Sequence, residues 1–153
     1  RIIKYNKISM QKTYLAKKED IKRIWYIADA QDKILGRLSV QVAKVLRGKH
    51  NVRFSPNIDC GDNVIVVNAS KIKVTGRKLT QKVYRRFSGY PGGLREVYLE
   101  DMLKNKPTEV ITLAVRRMLP AGPLGRDLLK KLKVYPLDKH PYALLKPVNL
   151  EVK

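Results

Sequence analysis

The run "NVIVVNA", opening at Asn63, sets four apolar β-formers in a row, Val64 to Val67, between polar ends. A strand with one wet face alternates apolar and polar side chains. A run that does not alternate belongs to a strand buried on both faces, as in a parallel sheet covered by helices. Upstream, "IWYI" at Ile24 to Ile27 is a second β-prone segment, ended by the polar turn "ADAQDK". Next comes "ILGRLSVQVAKVLRGK", where Leu35, Leu38, Val42, Val45 and Leu46 recur at helical spacing and Gly48 supplies a stop. Strand, helix, buried strand in this order predicts a right-handed βαβ unit.

A βαβ unit invites dinucleotide binding, but the turn and helix after the first strand hold only Gly36 where a Gly-x-Gly-x-x-Gly fingerprint is needed. "TGRK" at Thr75 to Lys78 resembles the end of a phosphate-binding loop. Its first glycine is missing, and Leu79 stands where a magnesium-binding Ser or Thr belongs. Beyond the unit, "KVYRRF" reads as extended and "YLEDMLKNK" as a short helix. "PTEVITLAVRRML" reads as a longer helix, with Pro107 in its first turn and an apolar face of Val110, Ile111, Leu113, Ala114 and Met118. "PAGPLGR" breaks the helix, "DLLKKL" starts another, and "KVYP" reads as a last short strand. The 153 residues suit one domain with appendages: a basic extension over 1–20, an α/β domain over 21–137, and an extended tail over 138–153.

Charge sets the partner. Lys and Arg number 33 against 13 acids, a formal net charge of +20, and self-repulsion of that size favours association with a polyanion. Nucleic acid is the expected class. A membrane surface is the rival, but no basic amphipathic helix with large aromatics is present, and no apolar run approaches the roughly 20 residues of a span. Cys60 is the only cysteine, so no intrachain disulfide forms, and the thiol reads as a small buried hydrophobe in a reducing compartment.

Asp59 and Asp62 in "DCGD", with His50 upstream, raise the alternative of a metal-dependent nuclease or RNA-modifying enzyme. One cysteine and two scattered histidines do not match zinc spacing, and the favoured reading is a turn whose Asp side chains cap free amides. No catalytic residue, metal or cofactor is expected. The basic residues carry the stronger pattern. Asn63 to Arg95 holds no Asp or Glu and eight Lys or Arg; Arg77, Lys78, Lys82, Arg85, Arg86 and Arg95 are interleaved there with Tyr84, Phe87 and Tyr90. Arginine grips phosphate bidentately and an aromatic face stacks on an unpaired base. On the first helix, Arg37, Lys44 and Arg47 lie off the apolar face; Lys49, His50 and Arg53 follow it, and Arg116 and Arg117 end the Pro107 helix. All are assigned to the nucleic-acid surface.

Taken together, "WYIADAQDKILGRLSVQVAKVLRGKH", "DCGD", "VIVVNASKIKVTGRKLTQKVY", "SGYPGGLREV", "MLPAGPLGR" and "LKVY" resemble the large-subunit ribosomal protein L-thirteen family, bacterial type, from about Lys12 to about Pro147. The resemblance implies a single α/β domain with a four-stranded, mainly parallel sheet and helices on both faces, Rossmann-like but without the dinucleotide fingerprint. It implies a non-enzymatic, early-assembling constituent of the large ribosomal subunit. Its partners would be large-subunit ribosomal RNA and neighbouring ribosomal proteins, with no membrane and no obligate homo-oligomer. Carried over by position, the family's RNA-facing motifs fall on Arg77, Lys78, Lys82, Tyr84 and Arg85, on Ser88, Gly89, Tyr90, Pro91, Gly92 and Gly93, and on Arg126, Lys130, Lys131 and Lys133. The chain departs from the family pattern at Phe87, where histidine is usual, at "AGP" after "MLP", and at "PYALLKP" after His140. The stretch before Met10 fits a processed organellar protein, which places a plastid stroma or other bacterial-type organelle ahead of the bacterial cytoplasm.

Overall fold

The computed structural model describes Lys17, Ile21 and residues 23–150; the basic extension over 1–20 lies almost wholly outside them. β1 (Trp25–Asp29), α1 (Leu35–Arg47) and β2 (Asn63–Val67) form the anticipated βαβ unit, with β1 and β2 parallel from Trp25 opposite Asn63 to Asp29 opposite Val67. After a 3-10 turn (Ala69–Lys71) come α2 (Lys78–Gln81), β3 (Val83–Phe87), β4 (Leu94–Tyr98), α3 (Leu99–Asn105), α4 (Pro107–Arg116) and α5 (Pro123–Lys130). β5 (Leu132–Val134) and β6 (Val148–Asn149) complete a four-stranded sheet, order β5-β2-β1-β6, in which every pairing is parallel. The sequence expectation of one α/β fold with a parallel sheet and helices stands.

The central position of β2 explains its composition. In register, Val64 and Val66 share a face with Ala28 and Leu132, and all four belong to the main core with Leu38, Val42 and Leu46 of α1. Val110, Ile111 and Val115 of α4 and Leu128 of α5 close that core. Ile65 and Val67 point the other way and are buried too. On that second face Tyr142 of the C-terminal segment stacks on Trp25 with ring centroids 5.0 Å apart. Alternation would have left one of these faces wet; four valines and isoleucines in a row fill both.

Three segments differ from the sequence reading. "PLGR" does not continue the break: Pro123 starts α5, where its missing N–H is no loss. β4 was not anticipated, because "LREVY" carries two charges and its side chains are exposed. The last residues, expected only to lie on the surface, supply β6, which pairs with β1 and adds the bond from the Leu150 N–H to the Ile27 carbonyl at 2.7 Å.

One close approach holds the βαβ unit shut. The loop after α1 returns so near the helix that a Cβ on Gly61 would sit 1.7 Å from the Leu46 carbonyl oxygen. No side chain fits there. The carbonyls at the end of α1 are met from the same place: Val45, which takes the Gly48 N–H at 2.9 Å, also accepts from the Asp62 N–H at 3.3 Å, and Leu46 accepts from Lys131 Nζ at 3.4 Å, a cation at the negative helix end.

Candidate nucleic-acid interface

The carboxylates that raised the nuclease reading are engaged inside the fold. Asp62 is 3 % exposed; one oxygen accepts the Ile24 N–H at 2.9 Å and the other meets His50 Nε2 at 2.8 Å. Asp59 accepts the Gly61 N–H at 3.1 Å, pairs with Arg23 at 3.3 Å and is gripped by Lys131 Nζ. Lys131 also donates to the Gly61 carbonyl at 2.9 Å. Burial pushes its ammonium below the ordinary lysine value while Asp59 pulls it back up. Among the described residues no group of three His, Cys, Asp or Glu is placed to hold a metal ion. This cluster ties the loop before β2 to α1 and α5.

Lys131 therefore leaves the candidate surface: at 8 % side-chain exposure, with three protein acceptors, it has nothing to offer an outside phosphate. Tyr84 leaves it as well. Tyr84 is 9 % exposed and belongs to the core, with Lys82 Nζ 5.2 Å and Arg117 Cζ 5.8 Å from its ring centroid, so the ring is covered within the fold. His50 is tied to Asp62, Lys130 pairs with Asp127 at 2.8 Å, and Lys133 lies in register with Ile65 on the second sheet face.

The remaining residues gather in two places. The first is the antiparallel hairpin β3–β4, which carries the glycine-rich loop. Its loop is closed by the Ser88 N–H to the Gly93 carbonyl (3.2 Å) and by the Gly93 N–H to the Tyr90 carbonyl (2.9 Å). Pro91 and Gly92 are the inner residues of that tight turn, and Gly92 at φ +74° has the left-handed backbone that a type II turn demands. The glycines thus shape the turn, and Tyr90 stands 76 % exposed on it. Alternation sends Tyr84 inward, where Leu99 and the bond from its N–H to the Lys82 carbonyl (2.9 Å) anchor the hairpin base. Beyond the core, Arg86 faces Arg95 directly across the pair, while Arg85 meets Glu96 at 2.6 Å on the other side. Two like charges directly opposed on a ladder destabilise it until an anion comes between them.

The second place is a groove between α1 and the end of α4. Lys44, Arg47 and Lys49 line one part of it, and Lys78, Lys82 and Arg117 line another, with Met118 common to both. Arg47 lies over the Phe54 ring at 5.7 Å. Arg37, Arg53, Arg77, Arg116 and Arg126 are exposed and none forms an ion pair among the described residues. The apolar lining, Val40 beside Lys44 and Arg47 and Val74 beside Lys78 and Lys82, with Met118 shared, is not marked in the sequence, where these look like ordinary core residues.

The profile of the family described as Ribosomal protein L13 matches residues 23–141. Proteins described as "Large ribosomal subunit protein uL13" align over nearly the whole chain. That of Aquifex aeolicus is 57% identical over 142 residues, covering 93% of this chain and 99% of the relative. That of Symbiobacterium thermophilum is 52% identical, covering 94% and 100%, and that of Dictyoglomus thermophilum is 53% identical, covering 92% and 99%. With the parallel α/β fold and matches of this extent, the chain belongs to the Ribosomal protein L13 family.

Proposed function

We propose that this chain serves as a structural, non-enzymatic constituent of the large ribosomal subunit, gripping folded ribosomal RNA with the β3–β4 hairpin and the α1–α4 groove. The observation that supports this reading best is the Arg86–Arg95 juxtaposition beside an acid-free segment: an arrangement unfavourable in the free protein and favourable around a phosphate. Folded RNA brings backbones close together, and cations placed between them release counterions as they neutralise the phosphates. The sheet is the rigid platform; the hairpin reaches outward from it. Recognition rests on phosphate and shape, with Tyr90 the exposed aromatic for stacking on an unpaired base.

Of the sequence-assigned positions, Arg37, Lys44, Arg47, Lys49 and Arg53 go with the groove side, Arg77, Lys78, Lys82, Arg116 and Arg117 with its far wall, and Arg85, Arg86, Arg95 and Ser88 to Gly93 with the hairpin. Arg126 extends this surface. Neighbouring ribosomal proteins complete the environment. The test is sedimentation of a lysate through a sucrose gradient after a salt wash: the chain runs with the large subunit, and mild ribonuclease releases it. The same experiment on fractionated cells reads whether the ribosome is bacterial or that of a plastid or similar organelle. Sedimentation near the top of the gradient, away from subunits, would refute the proposal.

A further inference from the structure

Gly36 is the second residue of α1, and glycine brings a helix no propensity of its own. Nothing in the fold requires it: a Cβ there meets no atom within 4 Å, and its φ is not left-handed. Gly36 lines a cleft of about 660 Å³ between the start of α1, the Val74–Lys82 segment and the end of α4. The cleft has an apolar lining that includes Val74, Ala114 and Met118, and three cations, Lys78, Lys82 and Arg117. No Asp or Glu lines it, and none pairs with these cations among the described residues. Lys82 and Arg117 also cover the ring of Tyr84, whose buried hydroxyl has no hydrogen-bond partner in the protein.

We propose that this cleft takes one unpaired nucleotide of the bound RNA, with the base against Val74, Ala114 and Met118 and the phosphate between Lys78, Lys82 and Arg117. The inference rests on the RNA-binding reading above and gives it a specific pocket. A bare phosphate has no use for the apolar lining, and an apolar peptide has no use for three uncompensated cations. A nucleotide uses both, because a flat apolar ring and an anion are joined in one unit. The volume falls within the usual range for small-ligand sites. Thr75 and Gln81 at the cleft supply polar groups for a base edge.

The test uses the full chain and large-subunit ribosomal RNA transcribed from the same organism. Gly36→Trp puts an indole into the cleft from a position whose Cβ meets no neighbour, and Lys78→Gln removes a phosphate contact from an exposed residue. Affinity, short-wavelength ultraviolet cross-links mapped by mass spectrometry, and thermal unfolding are measured together. The wild type is expected to cross-link through the Val74–Lys82 or Ala114–Met118 peptides. Gly36→Trp should unfold at or above the wild-type temperature, bind roughly tenfold more weakly and lose those cross-links while keeping the hairpin ones. Lys78→Gln should lower the salt slope by about 1. Undiminished affinity and unchanged cleft cross-links in Gly36→Trp would overturn the nucleotide pocket and leave the RNA-binding function standing. So would cross-linking of the cleft to a neighbouring protein in intact subunits. A wild type that binds no RNA would remove both.

Discussion

Replacing Arg86 and Arg95 together with glutamine weakens binding to the cognate ribosomal RNA by about a hundredfold at 0.1 M salt, and leaves the free protein no less stable. Each arginine, if it makes a charge-assisted hydrogen bond to phosphate, is worth about 1.5 kcal/mol or more, so two losses amount to about 3 kcal/mol. The slope of log affinity against log salt should become shallower by about 2. Stability moves the other way, because the two side chains oppose each other in register and their repulsion ends with the substitution. A gain of a few tenths of a kcal/mol is expected from that relief. Arg85→Gln is the comparison, since its guanidinium already meets Glu96 at an exposed pair worth little to folding. Equal losses of affinity and stability in the double variant would mean that the arginines support the hairpin rather than the RNA.

Gly61→Ala is expected to cost about 3 kcal/mol or more of folding free energy, a fall in Tm of roughly 10 °C for a domain of this size. The cause is geometric. An added methyl carbon falls 1.7 Å from the Leu46 carbonyl oxygen; the oxygen is backbone and the Cβ is fixed by its own backbone, so neither can swing aside as the end of a long side chain can. Moving the loop outward also pulls the Gly61 carbonyl from Lys131 and the Asp62 N–H from Val45, which keeps only its bond from the Gly48 N–H. Gly36→Ala, in the same unit but facing open space, should be neutral or stabilising. Thermal unfolding of the two alanine variants side by side checks both signs. A mild Gly61→Ala would mean that the loop before β2 is freer than its packing implies.

The parallel sheet was legible because β2 could not be anything else: four consecutive apolar β-formers have no solvent face. α1 was legible for the same kind of reason, its buried residues following the helical repeat up to Gly48. β4 was not legible, since a strand that protrudes beyond the core keeps charged and apolar side chains alike in solvent and loses the pattern that burial imposes. β6 is two residues long and is fixed by pairing with β1, a long-range contact that local composition does not encode. The site divides likewise. Sequence marked the hairpin by its charge and glycines, but it could not separate Lys131 from Lys130, neighbours of the same type. The first is buried on Asp59 and the second is exposed beside Asp127. Tyr84 divides the same way: only the register of β3 shows that its ring turns inward to the core.

If an electrostatic surface holds folded ribosomal RNA, binding must weaken steeply as salt rises. Titrating the full chain against large-subunit ribosomal RNA across a range of potassium chloride should give a linear fall of log affinity with log salt. Six to eight phosphates neutralised by the hairpin and groove correspond to a slope between about −4 and −7. A slope near zero, or equal affinity for an unrelated RNA at every salt concentration, would contradict the account.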